Sequence, residues 1–157
     1  MNKNFFIGIL AAGKGTRMKS DIPKVLHTLG NKAIIDYVLE TAYKLNPEKI
    51  FTVVGFKKEL VINHINNPSI DYIEQKEQLG TGHAVLQLGN KLHDKNGHLL
   101  ILYGDVPNIK HSTLLPIIDE HIKQNTDATM ITAIVEDPTG YGRIIRDQSG
   151  NLIKIVE

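Results

Sequence analysis

The sequence predicts an α/β protein, a three-layer sandwich around a mostly parallel sheet of Rossmann-like type. Short apolar runs rich in branched residues recur along the chain, helical apolar stripes alternate with them, and the glycine-rich turns follow directly after the runs. Phe5–Leu10, Ile50–Val54, Ile70–Glu74, Leu99–Tyr103 and Ala128–Val135 are each short enough, and apolar enough on both faces, for buried parallel strands. Between them, Ile34, Ile35, Val38, Leu39 and Ala42 share one helix face, and Leu60, Val61 and Ile65 mark a second helix. Ala84, Val85 and Leu88 begin a third, and Leu114, Leu115, Ile118 and Ile122 a fourth, with Ser112 expected as its N-cap. Strand, helix, strand in this order implies parallel pairing through right-handed crossovers. After Val135 the pattern turns to a hairpin, with Ile144-Ile145 and Leu152–Val156 flanking Asp147-Gln148-Ser149-Gly150-Asn151.

With 157 residues the chain is long enough for one domain that buries roughly 70% of its unfolded surface. Its 18 basic and 17 acidic residues almost cancel, so no global field marks a nucleic-acid or membrane-surface partner. There is no cysteine, which excludes a disulfide scaffold and thiolate chemistry and fits a reducing, cytoplasmic setting. Phe5 to Ala12 is far shorter than the roughly 20 apolar residues that a bilayer requires, and no secretory leader is expected. The seven histidines show no H-E-x-x-H or similar spacing.

The chemistry is concentrated after the first strand, in Leu10-Ala11-Ala12-Gly13-Lys14-Gly15-Thr16-Arg17-Met18, followed by Pro23-Lys24. Gly13 and Gly15 allow positive φ and a close approach of backbone N–H groups to an anion, and Lys14, Arg17 and Lys24 add three charges. The dinucleotide fingerprint G-x-G-x-x-G fails at Met18. The P-loop fails at Gly15, which stands where a magnesium-holding Ser or Thr belongs.

L-A-A-G-x-G-T-R-M followed by P-K-V-L-H resembles the signature of sugar-nucleotide pyrophosphorylases. Three further stretches agree in order: Gln75-Lys76-Glu77-Gln78-Leu79-Gly80-Thr81-Gly82-His83-Ala84, Leu102-Tyr103-Gly104-Asp105-Val106-Pro107, and Asp137-Pro138-Thr139-Gly140-Tyr141-Gly142-Arg143-Ile144. Together they resemble the N-terminal uridylyltransferase domain of the bifunctional bacterial N-acetylglucosamine-1-phosphate uridyltransferase/glucosamine-1-phosphate acetyltransferases. The resemblance implies a nucleotide-diphospho-sugar transferase fold over residues 1–157, cut short at its C-terminal side, with the left-handed β-helix acetyltransferase domain absent. It implies uridylyl transfer from UTP to N-acetylglucosamine 1-phosphate, giving UDP-N-acetylglucosamine and pyrophosphate for cell-wall and lipopolysaccharide precursors, with Mg2+ as cofactor.

By the same resemblance Leu10, Ala11, Ala12 and Gly13 hold the nucleotide, Arg17 neutralises the leaving phosphates and Lys24 the α-phosphate. Gln75 reads the uracil edge through an amide that offers both a donor and an acceptor, with Gly80 and Thr81 against the same base. Tyr103 and Gly104 bind substrate and lead into Asp105, the expected metal ligand. Gly142 and Glu157 contact the sugar. Family members trimerise through the domain absent here, which leaves the isolated chain free to be monomeric, and neither nucleic acid nor membrane is an expected partner. Two alternatives remain: a fragment that holds nucleotide without turnover, and a related nucleotidyltransferase with another base or acceptor.

Overall fold

The computed structural model describes residues 4–156, with Arg17 described by its backbone alone. The chain divides into two compact units, Met1–Glu120 and His121–Glu157, where the sequence suggested one domain.

The first unit is built on four parallel strands, β1 (Phe5–Ala11), β4 (Lys49–Val54), β5 (Ile70–Glu74) and β6 (His98–Tyr103), in the order β5-β4-β1-β6. A two-residue antiparallel ladder, β2 (Thr28–Leu29) with β3 (Lys32–Ala33), precedes helix α1 (Ile34–Lys44). Helices α2 (Lys58–Ile65) and α3 (Thr81–Leu92) fill the crossovers, and α4 (His111–Lys123) follows β6 and runs across the boundary between the units. From β1 the chain moves outward through β4 and β5, then returns to the other side of β1 with β6. The direction of winding therefore reverses between β1 and β6, where sheets of this type open a crevice at their carboxyl edge. Register puts Leu10 beside Tyr103, Ala11 beside Val54 and Val54 beside Glu74, so the strand ends lie level.

The sheet is buried on both faces because its strands are apolar at odd and even positions alike. On one face Phe6, Phe51, Val53 and Ile73 pack with Ala84 and Leu88 of α3. Gly8 lies on this face, and a Cβ there would stand 2.6 Å from Leu88 Cδ1, so the missing side chain lets α3 come close. The alternate residues Ile7 and Ile9 are fully buried on the opposite face, and the helix stripe that the sequence marked is buried in α1 (Ile35, Val38, Leu39, Ala42), whereas in α2 Val61 is buried and Leu60, expected beside it, is exposed. Each buried Val, Leu, Ile or Phe side chain contributes about 1.5–3 kcal/mol. Helix α1 opens where Asp36 Oδ2 accepts the Ala33 N–H at 3.0 Å, satisfying one of the first-turn donors.

Two expectations are corrected here. Helix α4 begins at His111, which puts Ser112 inside the first turn instead of at the cap; the Thr113 and Leu114 N–H groups bond the Lys110 carbonyl. Ala128–Val135, expected as a strand, forms none. Its residues have β propensity, but they enter no strand ladder among the described residues, and a lone strand does not satisfy its own backbone. Met130, Ile131, Ile134 and Val135 stand exposed.

In the second unit the expected hairpin is present as β7 (Arg143–Arg146) and β8 (Leu152–Val156), antiparallel with an irregularity at Ile145/Arg146. Asp147 organises its turn: Oδ1 accepts the N–H groups of Ser149 and Asn151, and Oδ2 the Asn151 amide at 3.0 Å. These bonds hold the Asp147 carboxyl below the ordinary carboxylate range, the Asn151 side chain first among the causes.

Candidate nucleotide site

At the crevice between β1 and β6 the loop after β1 is fastened on both sides. Gly104 N–H donates to the Leu10 carbonyl at 2.9 Å, and Phe56 N–H to the Ala12 carbonyl at 3.1 Å. The fit at Gly104 is close, since a Cβ there would lie 2.9 Å from that same Leu10 oxygen and 3.1 Å from Val25 Cγ1. The stretch Leu10–Gly13 is thereby held as one wall of a cleft of about 250 Å³, whose other walls include Lys24, Gln75, Gly80, Thr81, Tyr103 and Asp105.

The two loop glycines differ. Gly15 has φ +65°, and a Cβ on it would stand 2.8 Å from Lys24 Cβ; its bareness lets the Lys24 segment fold against the loop. Gly13, expected to use the same freedom, lies outside the left-handed region, and a Cβ on it would meet no protein atom within 4 Å. Its small size keeps space open in the cleft; it serves no turn.

Pro23, fully buried, sets the chain direction into a single helical turn, Lys24–Leu26. From there Lys24 Nζ reaches Asp105 Oδ2 at 2.5 Å, with side chains 43% and 28% exposed. The phosphate-binding lysine and the metal-binding carboxylate inferred from sequence thus meet as an ion pair at the mouth of the cleft. Lys14 goes elsewhere: its ammonium stands 5.3 Å from the centre of the Phe56 ring, with Lys57 5.5 Å from the same centre.

Gln75 is 3% exposed and lines the cleft. Its Nε2 lies 3.2 Å from the Gly80 carbonyl and 3.1 Å from His83 Nδ1. An amide nitrogen has two hydrogens, so one goes to the Gly80 carbonyl and the other to His83 when Nδ1 is the acceptor. Of the donor and acceptor expected from sequence, Oε1 alone is left for a ligand. Gly80, at φ +94°, turns the chain into α3, and Thr81 is the first residue of that helix.

Ten of the residues singled out in the sequence line the cleft: Leu10, Ala11, Ala12, Gly13, Lys24, Gln75, Gly80, Thr81, Tyr103 and Asp105. Gly104 stands behind them as the close contact to Leu10. Gly142 belongs to the second unit, in the turn before β7. The side chain of Arg17 and the whole of Glu157 lie outside the described residues. Sequence reasoning missed Val25, Gln78 and Ala84, which also line the cleft. All three sit within the quoted motifs; Ala84 reads from the sequence as helix core, and it serves the core and the cleft together.

The family description "Nucleotidyl transferase" matches residues 8–157. The chain belongs to the nucleotidyl transferase family. Among its relatives are the bifunctional protein GlmU of Picosynechococcus sp., 46% identical over 154 residues, and that of Streptococcus pyogenes, 46% identical over 149 residues. These alignments cover 96% and 95% of this chain but 34% and 32% of the relatives, so the chain spans about a third of their length. A UDP-glucose pyrophosphorylase from Acinetobacter baumannii superposes with TM-score 0.78 at 21% identity, covering 96% of this chain and 66% of that one. HddC from Yersinia pseudotuberculosis gives 0.69 at 23% identity, over 97% and 68%. Both share the fold, a Rossmann-like α/β nucleotidyltransferase with a mostly parallel sheet. Among the described residues no helix is long and apolar enough to cross a membrane.

Proposed function

We propose that this nucleotidyltransferase transfers uridylyl from UTP to N-acetylglucosamine 1-phosphate, releasing pyrophosphate and UDP-N-acetylglucosamine, as a cytoplasmic supplier of cell-wall and lipopolysaccharide precursors. The observation that carries this reading is the joining of the Leu10–Gly13 wall, the Lys24–Asp105 pair and the Gln75 amide in one cleft at the switch point of the sheet.

A sugar phosphate is largely dianionic at neutral pH, its second pKa being about 6, and is already a nucleophile. The protein therefore has to position two anions and offset charge as one oxygen attacks the α-phosphorus and another departs. Lys24 is assigned to the α-phosphate, and Arg17, whose backbone belongs to the short helix Thr16–Met18 after Gly15, to the leaving phosphates. Deleting one such charge costs about 3–4 kcal/mol in the transition state. Gly142 and Glu157 are assigned to the sugar on the family resemblance alone.

Magnesium suits the donor set. It takes oxygen ligands and is held by one or two carboxylates plus substrate phosphates, and Asp105 is the acidic residue lining the cleft, while no group of three His, Asp or Glu side chains gathers elsewhere among the described residues. Bound there, the ion would draw charge from the phosphate oxygens. Lys24 must then leave Asp105 for the phosphate.

A second reading, that residues 1–157 alone hold the nucleotide without turning it over, is favoured by that single carboxylate. The test is pyrophosphate release from UTP and N-acetylglucosamine 1-phosphate, run on this chain and on a version extended to the length of its relatives. Release that requires both substrates supports the proposal, with the extended version the more active. Absence of release from both overturns it.

A further inference from the structure

We infer that His83 is a specificity-determining positioning residue, fixing Gln75 so that the cleft presents a hydrogen-bond acceptor to the nucleobase and selects a base carrying an N–H at that point, the imide of uracil or thymine. The inference rests on the nucleotide reading above and deepens it.

The Gly80 carbonyl can only accept a hydrogen bond, so the end of the Gln75 amide 3.2 Å away must be the NH2. The second hydrogen of that NH2 then meets His83 Nδ1 at 3.1 Å, which requires Nδ1 to be an unprotonated acceptor. The neutral ring consequently holds its hydrogen on Nε2. Gln87 Nε2, one turn farther along α3, lies 3.0 Å from His83 Nε2 and donates to the His83 carbonyl at 3.3 Å, so the amide must give up that bond and turn its oxygen to the ring to receive the hydrogen. His83 is thus the residue on α3 that stands against the second amide hydrogen of Gln75.

Burial gives the polarity force. Gln75 is 3% exposed, and a buried amide turned against its partners leaves groups unsatisfied with no water to replace them. With Oε1 as the outward atom, the N3–H of uracil donates to it. Cytosine in the same pose sets an N3 lone pair against that oxygen. A site built to bond an N–H rejects an analogue lacking it far more strongly than an apolar pocket rejects an extra group. Without His83, the Gly80 carbonyl alone must hold the amide, and the Gln75 side chain can rotate to show either end.

The test compares calorimetric affinities of UTP, CTP and 3-methyluridine triphosphate, which lacks the N3–H, for this chain and for His83→Ala and His83→Asn. The Oδ1 atom of Asn occupies nearly the place of Nδ1 and accepts the same hydrogen bond. The preference for UTP over both competitors should fall by roughly tenfold or more in His83→Ala, through weaker UTP binding with CTP binding little changed, and return in His83→Asn. A thermal melt confirms that each variant is folded. An unchanged preference in folded His83→Ala, or equal loss for all three nucleotides, overturns the inference while leaving the nucleotide site standing. If the unmutated chain binds no nucleotide, the nucleotidyltransferase reading of the cleft falls first, and this inference with it.

Discussion

Lys24 Nζ and Asp105 Oδ2 stand 2.5 Å apart, joining the loop after β1 to the turn after β6 across 81 positions of sequence. A pair this exposed contributes no more than about 1 kcal/mol to stability. On the proposed nucleotide reading, the pair holds two charges that a triphosphate and its metal would separate. Lys24→Met should therefore shift chemical denaturation by less than about 1 kcal/mol, while weakening UTP by on the order of tenfold or more in calorimetry. A large loss of stability with unchanged UTP binding would make the pair a structural brace.

Asp105→Asn separates the roles of the two partners. The neutral amide frees Lys24, so UTP affinity measured with a chelator should hold or rise. The gain in affinity on adding magnesium should vanish, because the oxygen donor for a hard cation has lost its charge. A magnesium gain that persists in the variant would move the metal site away from Asp105.

The glycines of the loop give a paired prediction. Gly15→Ala meets both a positive φ and Lys24 Cβ at 2.8 Å, and should lose about 1–3 kcal/mol of stability together with UTP affinity. Gly13→Ala meets no protein atom and should change stability by no more than about 0.5 kcal/mol, yet still weaken UTP by filling the cleft. Equal stability losses in urea titrations of the two would contradict the distinction.

For the hairpin, the prediction concerns acid. Asp147 is held below its ordinary value by bonds made in the folded turn, so its contribution is complete above the unfolded pKa of about 3.9. It is lost as pH falls through the lower folded value. The Ser149 and Asn151 amide resonances should stay constant from neutral pH to about pH 4 and move below it, and Asp147→Asn should remove that step. A transition well above pH 4 would contradict the turn.

Wherever one residue's local chemistry decides the outcome, the structure was legible in the sequence. Buried strands announced themselves as runs such as Phe5–Leu10, and the motifs whose family resemblance marked the cleft residues stand at strand ends that the parallel register brings level. Legibility failed where the outcome depends on a neighbour. Ala128–Val135 carries the composition of a strand, but pairing needs a partner that propensity cannot supply. Ser112 has the chemistry of a cap, and the helix starts one residue earlier. The Gln75 amide looked two-sided until Gly80 and His83 engaged its NH2, and the pairing of Lys24 with Asp105 depends on a fold-level contact that no local motif encodes.

The central claim, that the crevice at the β1–β6 switch point holds a uridine triphosphate, is tested most directly by titrating UTP into isotopically labelled protein and mapping the amide shifts. Saturable changes should concentrate at Leu10–Gly13, Gln75, Gly80 and Thr81, and at Asp105. Shifts confined to the β7–β8 hairpin, or none at millimolar UTP, would contradict it.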